Sequence, residues 1–156
     1  MTNLTKTEQT FKVNVTYDLT VTMENLKDLF CTMGQGSNYW ATDVTIGNIE
    51  VEEDEEGVTY IKSGQDYEDQ GCCIWLKELT LDSPITVEDI EDDKHQFKVK
   101  DVLKAIEKIV SGKTNLNSDD CWSVHRSFMT DDLSLIDASI ADSILQITTY
   151  NTLVYG

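Results

Sequence analysis

The sequence predicts one α+β domain: a mainly antiparallel sheet of about five strands with three helices. Three observations point there. Segments with period-2 alternation and segments with helical period interleave, but with no regular strand–helix–strand rhythm. The 156 residues are 40% hydrophobic, enough to bury a core of ordinary domain size. No internal repeat and no linker interrupts them, so residues 11–156 form one domain after a flexible N-terminus at 1–10.

The elements follow in order. "FKVNVTYDLTV", 11–21, alternates Phe11, Val13, Val15, Tyr17, Leu19 and Val21 with mostly polar residues, as a half-wet strand does. Thr22 is placed to cap a helix in which Met23, Leu26, Leu29, Phe30 and Met33 share a stripe. Gly34 and Gly36 are expected to stop it through a left-handed exit. Residues 38–47 read as a second strand on Tyr39, Ala41, Val44 and Ile46, with a slip in alternation after Ala41 that predicts a bulge. "GVTYIKS" and "GCCIWLKEL" are two more strands, opened by Gly57 and Gly71 and separated by acidic loop.

Residues 81–96, containing the only proline, Pro84, read as a polar connection, and "QFKVK" as a short fifth strand. Asp101 then caps a helix striped by Val102, Leu103, Ile106, Ile109 and Val110 and ended by Gly112. Residues 113–134 lack a clear period. The last helix runs from about Ala138 to Tyr150, capped by Asp137, with Ile140, Ile144, Leu145 and Thr148 on one face. "TLVYG" is an apolar tail expected to dock on the core.

Charge narrows the function. The formal net charge is −17, from 29 acids against 12 Lys and Arg. Sixteen of the acids lie between Glu50 and Asp93, opposed only by Lys62 and Lys77. Binding to nucleic-acid phosphate requires basic residues that release counterions, so direct nucleic-acid binding is not expected. Anionic membrane surfaces are disfavoured for the same reason. No apolar run approaches the ~18 residues of a membrane span, and the polar start "MTNLTKTEQT" does not read as a secretory signal. Cys31, Cys72, Cys73 and Cys121 follow no ligand spacing, which predicts free thiols in a reducing cytoplasm.

Two segments resemble blocks of a family of uncharacterised acidic proteins from phages and prophages of gut Firmicutes. "GQGSNYWATDVTIG" is similar to its block of a small residue and glycine, an aromatic Tyr-Trp pair and a strand. "DASIADSILQITTYNTLVYG" is similar to its closing helix and apolar tail. Ala41 stands where that family often has cysteine. The resemblance implies a phage setting, hence a host-cell cytoplasm, and brings no catalytic residue.

The acids have three readings. Calcium loops alternate their ligands as in D-x-[DN]-x-[DN]-G, and "EVEEDEEG" lacks that spacing, so no metal is expected. A charged face can serve solubility only. Alternatively, Glu52, Glu53, Asp54, Glu55, Glu56, Asp66, Glu68 and Asp69, with Tyr67 as an aromatic contact, form a partner-binding surface. Such a surface imitates nucleic acid, and the expected partner is a host protein, a defence enzyme that handles nucleic acid.

A second function class is sequestration of a nucleotide signal in a pocket lined by Tyr39, Trp122 and Arg126. His95 or His125 beside Cys72, Cys73 or Cys121 could make a nucleophile pair, but adjacent cysteines in an apolar run read as packing. With no catalytic motif, no enzyme is expected, and no cofactor.

Overall fold

The structure is a computed structural model that describes residues 16–156. The proposed strand at 11–21 therefore lies partly outside the described residues. Its described part, from Thr16 to Val21, has no helix or strand and joins no sheet; Leu19 and Val21 tuck against the core without a ladder.

Helix α1 spans Met23–Gly36, and Thr22 caps it as expected. Thr22 Oγ1 accepts from Asn25 N at 3.1 Å, and Asn25 Oδ1 accepts from Thr22 N at 3.0 Å, a reciprocal capping box. The helix does end at Gly36, but not through a left-handed glycine. Gly34 lies within it, neither glycine has a positive φ, and the chain exits through Ser37 in a right-handed conformation. Their role is close approach instead. A Cβ on Gly34 would collide with the Gln70 carbonyl and lie 2.9 Å from Cys73 Cβ, and one on Gly36 would collide with the Ala138 carbonyl.

Seven strands follow in part from the acidic middle: β1 Ala41–Ile46, β2 Val51–Glu53, β3 Thr59–Ile61, β4 Tyr67–Gln70, β5 Cys73–Leu76, β6 Pro84–Asp89 and β7 Lys94–Lys98. Five make one sheet in the order β4-β5-β1-β6-β7, while β2 and β3 pair only with each other. The sheet is mixed, because β1 and β5 run parallel and the other three ladders are antiparallel. The chain leaves β1, makes the β2–β3 hairpin and β4, and returns alongside β1 as β5, parallel to it, so the sheet is mixed rather than wholly antiparallel. The predicted bulge is present, as a register shift between Ala41 and Asp43.

Residues 81–96 are no mere connection. Pro84 occupies the first position of β6, where a missing N–H is tolerated. Ile85, Val87 and Asp89 point inward along it.

Helix α2 spans Val99–Val110, and its N-cap is Lys98 rather than Asp101. Asp101, three residues inside, accepts from Lys98 N at 2.9 Å. Gly112, at φ +68°, follows the end of the helix. A fourth helix, α3 Ser118–Thr130, fills the stretch that has no clear period. Asn117 caps it, but only Val124, Ser127 and Phe128 are buried, so no apolar stripe betrays it. After a 3-10 turn at Leu133–Leu135, α4 spans Ala138–Tyr150, with Asp137 Oδ1 accepting from Ile140 N at 2.9 Å.

The buried side chains of β1, β5 and β6 all face one side of the sheet, where the helices lie. Trp40, Phe30, Ile46, Ile85, Ile106 and Ile144 are among the largest side chains sealed there. The opposite face, with Asp43, Thr45, Thr86 and Gln96, stays wet or half-wet.

In an exposed helix Gly→Ala stabilises by roughly 0.5–1 kcal/mol. At Gly34 the sign should reverse, because overpacking against backbone costs about 1–3 kcal/mol. Urea denaturation of Gly34→Ala checks this; a variant more stable than wild type would mean that α1 does not seat on the β4–β5 turn through this contact.

Candidate functional site

The carboxylates of residues 50–56 stand on the β2–β3 hairpin, and every residue from Glu50 to Tyr60 is exposed. Local bonds hold the hairpin. Asp54 Oδ1 accepts from Glu56 N and Val58 N, both at 2.9 Å, while Gly57, at φ +81°, turns the chain back. At the base the Gln65 side chain imitates a strand. Its Oε1 accepts from Glu50 N at 2.8 Å, and its Nε2 donates to Glu50 O at 2.7 Å. Asp54 is thus a turn residue as well as a surface charge.

Glu52, Glu53, Glu55 and Glu56 take part in no ion pair among the described residues; the hairpin's one pair, Lys62 to Glu50 at 3.1 Å, lies at its base. Interleaved with them are Val51, Val58 and Tyr60, each about half exposed. Glu52 sits opposite Tyr60 across the ladder, and Val51 opposite Ile61.

Asp66, Tyr67, Glu68 and Asp69 belong to a different element: Asp66 immediately precedes the edge strand β4, which carries the other three. Lys77 Nζ reaches Asp66 at 2.9 Å and Glu68 at 3.6 Å, so part of this charge is answered internally. Tyr67 is 39% exposed, as a contact residue requires. Among the described residues no group of three or more His, Cys, Asp or Glu is arranged to hold a metal ion.

Tyr39, Trp122 and Arg126 are not brought together as one pocket among the described residues. Trp122 and Arg126 meet on the outer side of α3, the guanidinium 5.0 Å from the ring centroid. Tyr39 is committed elsewhere, donating to Asp142 Oδ2 at 2.8 Å. Burial and that bond push its hydroxyl up to about 12. A groove of about 650 Å³ lies between the segment around Tyr17 and α2, but none of the three lines it.

Neither histidine meets a thiol among the described residues, although the buried Nε2 of His125 has no hydrogen-bond partner there. His125 packs on Tyr17, ring centroids 5.0 Å apart, and His95 Nε2 lies 2.8 Å from Asp89 Oδ2. The cysteines are all free, and burial raises the thiol pKa of Cys72, Cys73 and Cys121, which disfavours a nucleophilic thiolate.

What the sequence reading missed is a buried polar centre. Asp142 of α4 accepts from Trp40 Nε1 at 2.5 Å, from Tyr39 and from Gln146 Nε2 at 2.9 Å. Gln146 in turn ties the C-terminal tail, accepting from Val154 N and Tyr155 N and donating to Tyr155 O. Asp89, 3% exposed, accepts from His95, from the Tyr150 hydroxyl at 2.8 Å, and from Glu91 N and Asp93 N. The available hint was Asp142 and Gln146 four residues apart among the isoleucines and leucine of the last helix. No donor set aims at open space here, so this centre is architecture.

No family model, curated protein or solved structure matches the chain. No helix among the described residues is long and apolar enough to cross a membrane.

The His95 hydrogen bond, helped by Tyr150 and two backbone N–H groups, outweighs burial and holds Asp89 down to about 2, against an ordinary 3.8. A carboxylate depressed in the folded state adds stability that is complete above its unfolded value and lost as pH falls through its folded one. Melting temperature should therefore drop between pH 3.8 and about 2, and Asp89→Asn should flatten that part of the profile. An identical acid limb in Asp89→Asn would remove Asp89 from the cause.

Proposed function

We propose that this is a binding protein, not an enzyme, which presents the β2–β3 hairpin and the neighbouring β4 carboxylates to a basic surface on a partner protein. Its action on that reading is inhibition of a nucleic-acid-handling host defence factor, the carboxylates occupying a site made for phosphates. One observation carries the reading. Tyr60 stands exposed beside Glu52 on one face of the hairpin and Val51 beside Ile61 on the other, with Val58 exposed at the turn. They stand among carboxylates that form no ion pair among the described residues, on a hairpin held by its own hydrogen bonds. A patch serving solubility alone has no use for exposed apolar side chains, whereas apolar surface rimmed by charge marks interaction sites. The carboxylates would speed encounter and select a basic partner, and the apolar residues would add contact. The phage setting rests on the resemblance of the two sequence blocks.

The test is a hairpin variant with Glu52, Glu53, Glu55 and Glu56 changed to Gln, keeping Asp54 for the turn. Its melting temperature should match or exceed wild type, because exposed like charges repel. Wild-type protein should capture a host protein that added double-stranded DNA or rising salt displaces, and the variant should capture several-fold less, mainly through slower association. Equal capture by the variant would reduce the hairpin acids to solvation.

A further inference from the structure

The sheet ends on β4, whose one ladder is with β5. Lys77 N donates to Asp66 O at 2.9 Å, which makes Asp66 and Lys77 a hydrogen-bonded pair of that ladder. Pairs alternate in an antiparallel ladder, so Glu68 with Trp75 and Gln70 with Cys73 are hydrogen-bonded pairs too. The backbone groups of Tyr67 and Asp69 must then point away from β5, toward the open edge. Among the described residues no backbone group pairs with them. An uncovered strand edge is a template for another strand.

The side chains along this edge select what can join it. Tyr67 and Asp69 face the wet side of the sheet beside Leu76 and Ile74. Glu68 faces the helix side, where a groove of about 340 Å³ runs between α1 and β4, lined by the acids Glu24, Asp28 and Glu68 and by Lys27 and Lys77. Lys77 answers Asp66 and Glu68 in part, and Asp69 has no ion pair among the described residues. A second β4 would bring acid against acid, which excludes symmetric pairing of two copies through this edge. A strand bearing lysine or arginine meets Asp69 on one face and, on the other, the excess of Glu24, Asp28 and Glu68 over Lys27 and Lys77.

We propose that the β4 edge takes up an extended, lysine- or arginine-bearing segment of the partner protein as an added strand. Backbone bonds to Tyr67 and Asp69 hold it, Tyr67 packs against it, and one basic side chain enters the α1–β4 groove. This rests on the partner-binding reading and gives that surface its mode of recognition.

The probe is a short peptide of alternating lysine and valine, compared with the same peptide N-methylated on alternate amides, which keeps the charge and removes edge hydrogen bonding. Full-length protein should bind the plain peptide at least about tenfold more tightly. Amide exchange should be fast at Tyr67 and Asp69 in the free chain and slow with the peptide bound. Asp69→Pro should weaken the plain peptide by a similar factor with the β4–β5 ladder intact, since that N–H faces outward. Equal binding of both peptides, lost in salt, would overturn strand addition while leaving the acidic partner surface standing. No binding of either peptide would also overturn it. Slow exchange at Tyr67 and Asp69 in the free chain would overturn it too: at every concentration it places the chain itself on the edge, and only at high concentration it places a second copy there.

Discussion

The carboxylate of Asp142 is the point on which the packing of the helical layer against the sheet turns. It is buried, yet among the described residues no cation answers it; three donors do, from Trp40, Tyr39 and Gln146. A buried carboxylate without partners costs several kcal/mol, and hydrogen bonds to a charged group contribute about 1.5–3 kcal/mol each. The geometry is therefore all or nothing. Trp40 has the same requirement from the other side: it is fully sealed, and its ring N–H must find an acceptor in the core. One bond meets both needs and fixes where β1 begins relative to α4.

From that bond the constraint spreads. Asp142, Gln146 and Tyr150 recur every fourth residue and form one polar stripe along α4. Gln146 binds the tail, so that Tyr155 stacks on Trp40 with centroids 5.4 Å apart and planes 11° from parallel. Tyr150 presents its ring to Trp40 and its hydroxyl to Asp89, while Trp40 O accepts from Ile90 N at 2.8 Å. Tail, last helix, β1 and the β6–β7 turn thus converge on one indole.

The parts legible in the sequence are those governed by local pattern. Thr22 and Asp137 announce their helices because a cap and an apolar stripe lie within one or two turns of each other. The bulge after Ala41 is legible because alternation slips at a definite residue. Tertiary contacts decide the rest. Gly34 reads as a helix stop until Gln70 is seen against it, and β6 reads as a loop because Thr86 and Glu88 face the wet side. Helix α3 buries too few side chains to show a period, and the alternation through Tyr17, Leu19 and Val21 is packing without a ladder. Of the candidate site, the acids and Tyr67 were legible as surface. Their division between a hairpin and an edge strand was not, since pairing partners are long-range facts.

Two kinds of acid emerge, and the difference between them bears on function. Asp142 and Asp89 are sealed and saturated with donors, so neither has capacity to spare for a ligand. The hairpin glutamates are the reverse: exposed, without ion pairs among the described residues, and set on a structure whose turn and base are held by Asp54 and Gln65. Self-repulsion within such a cluster opposes the compact state, yet here it acts on an element the core does not need. A charge excess can be carried there with little effect on folding. On the proposed reading, that separation would let the surface answer to a partner while the interior answers to Trp40.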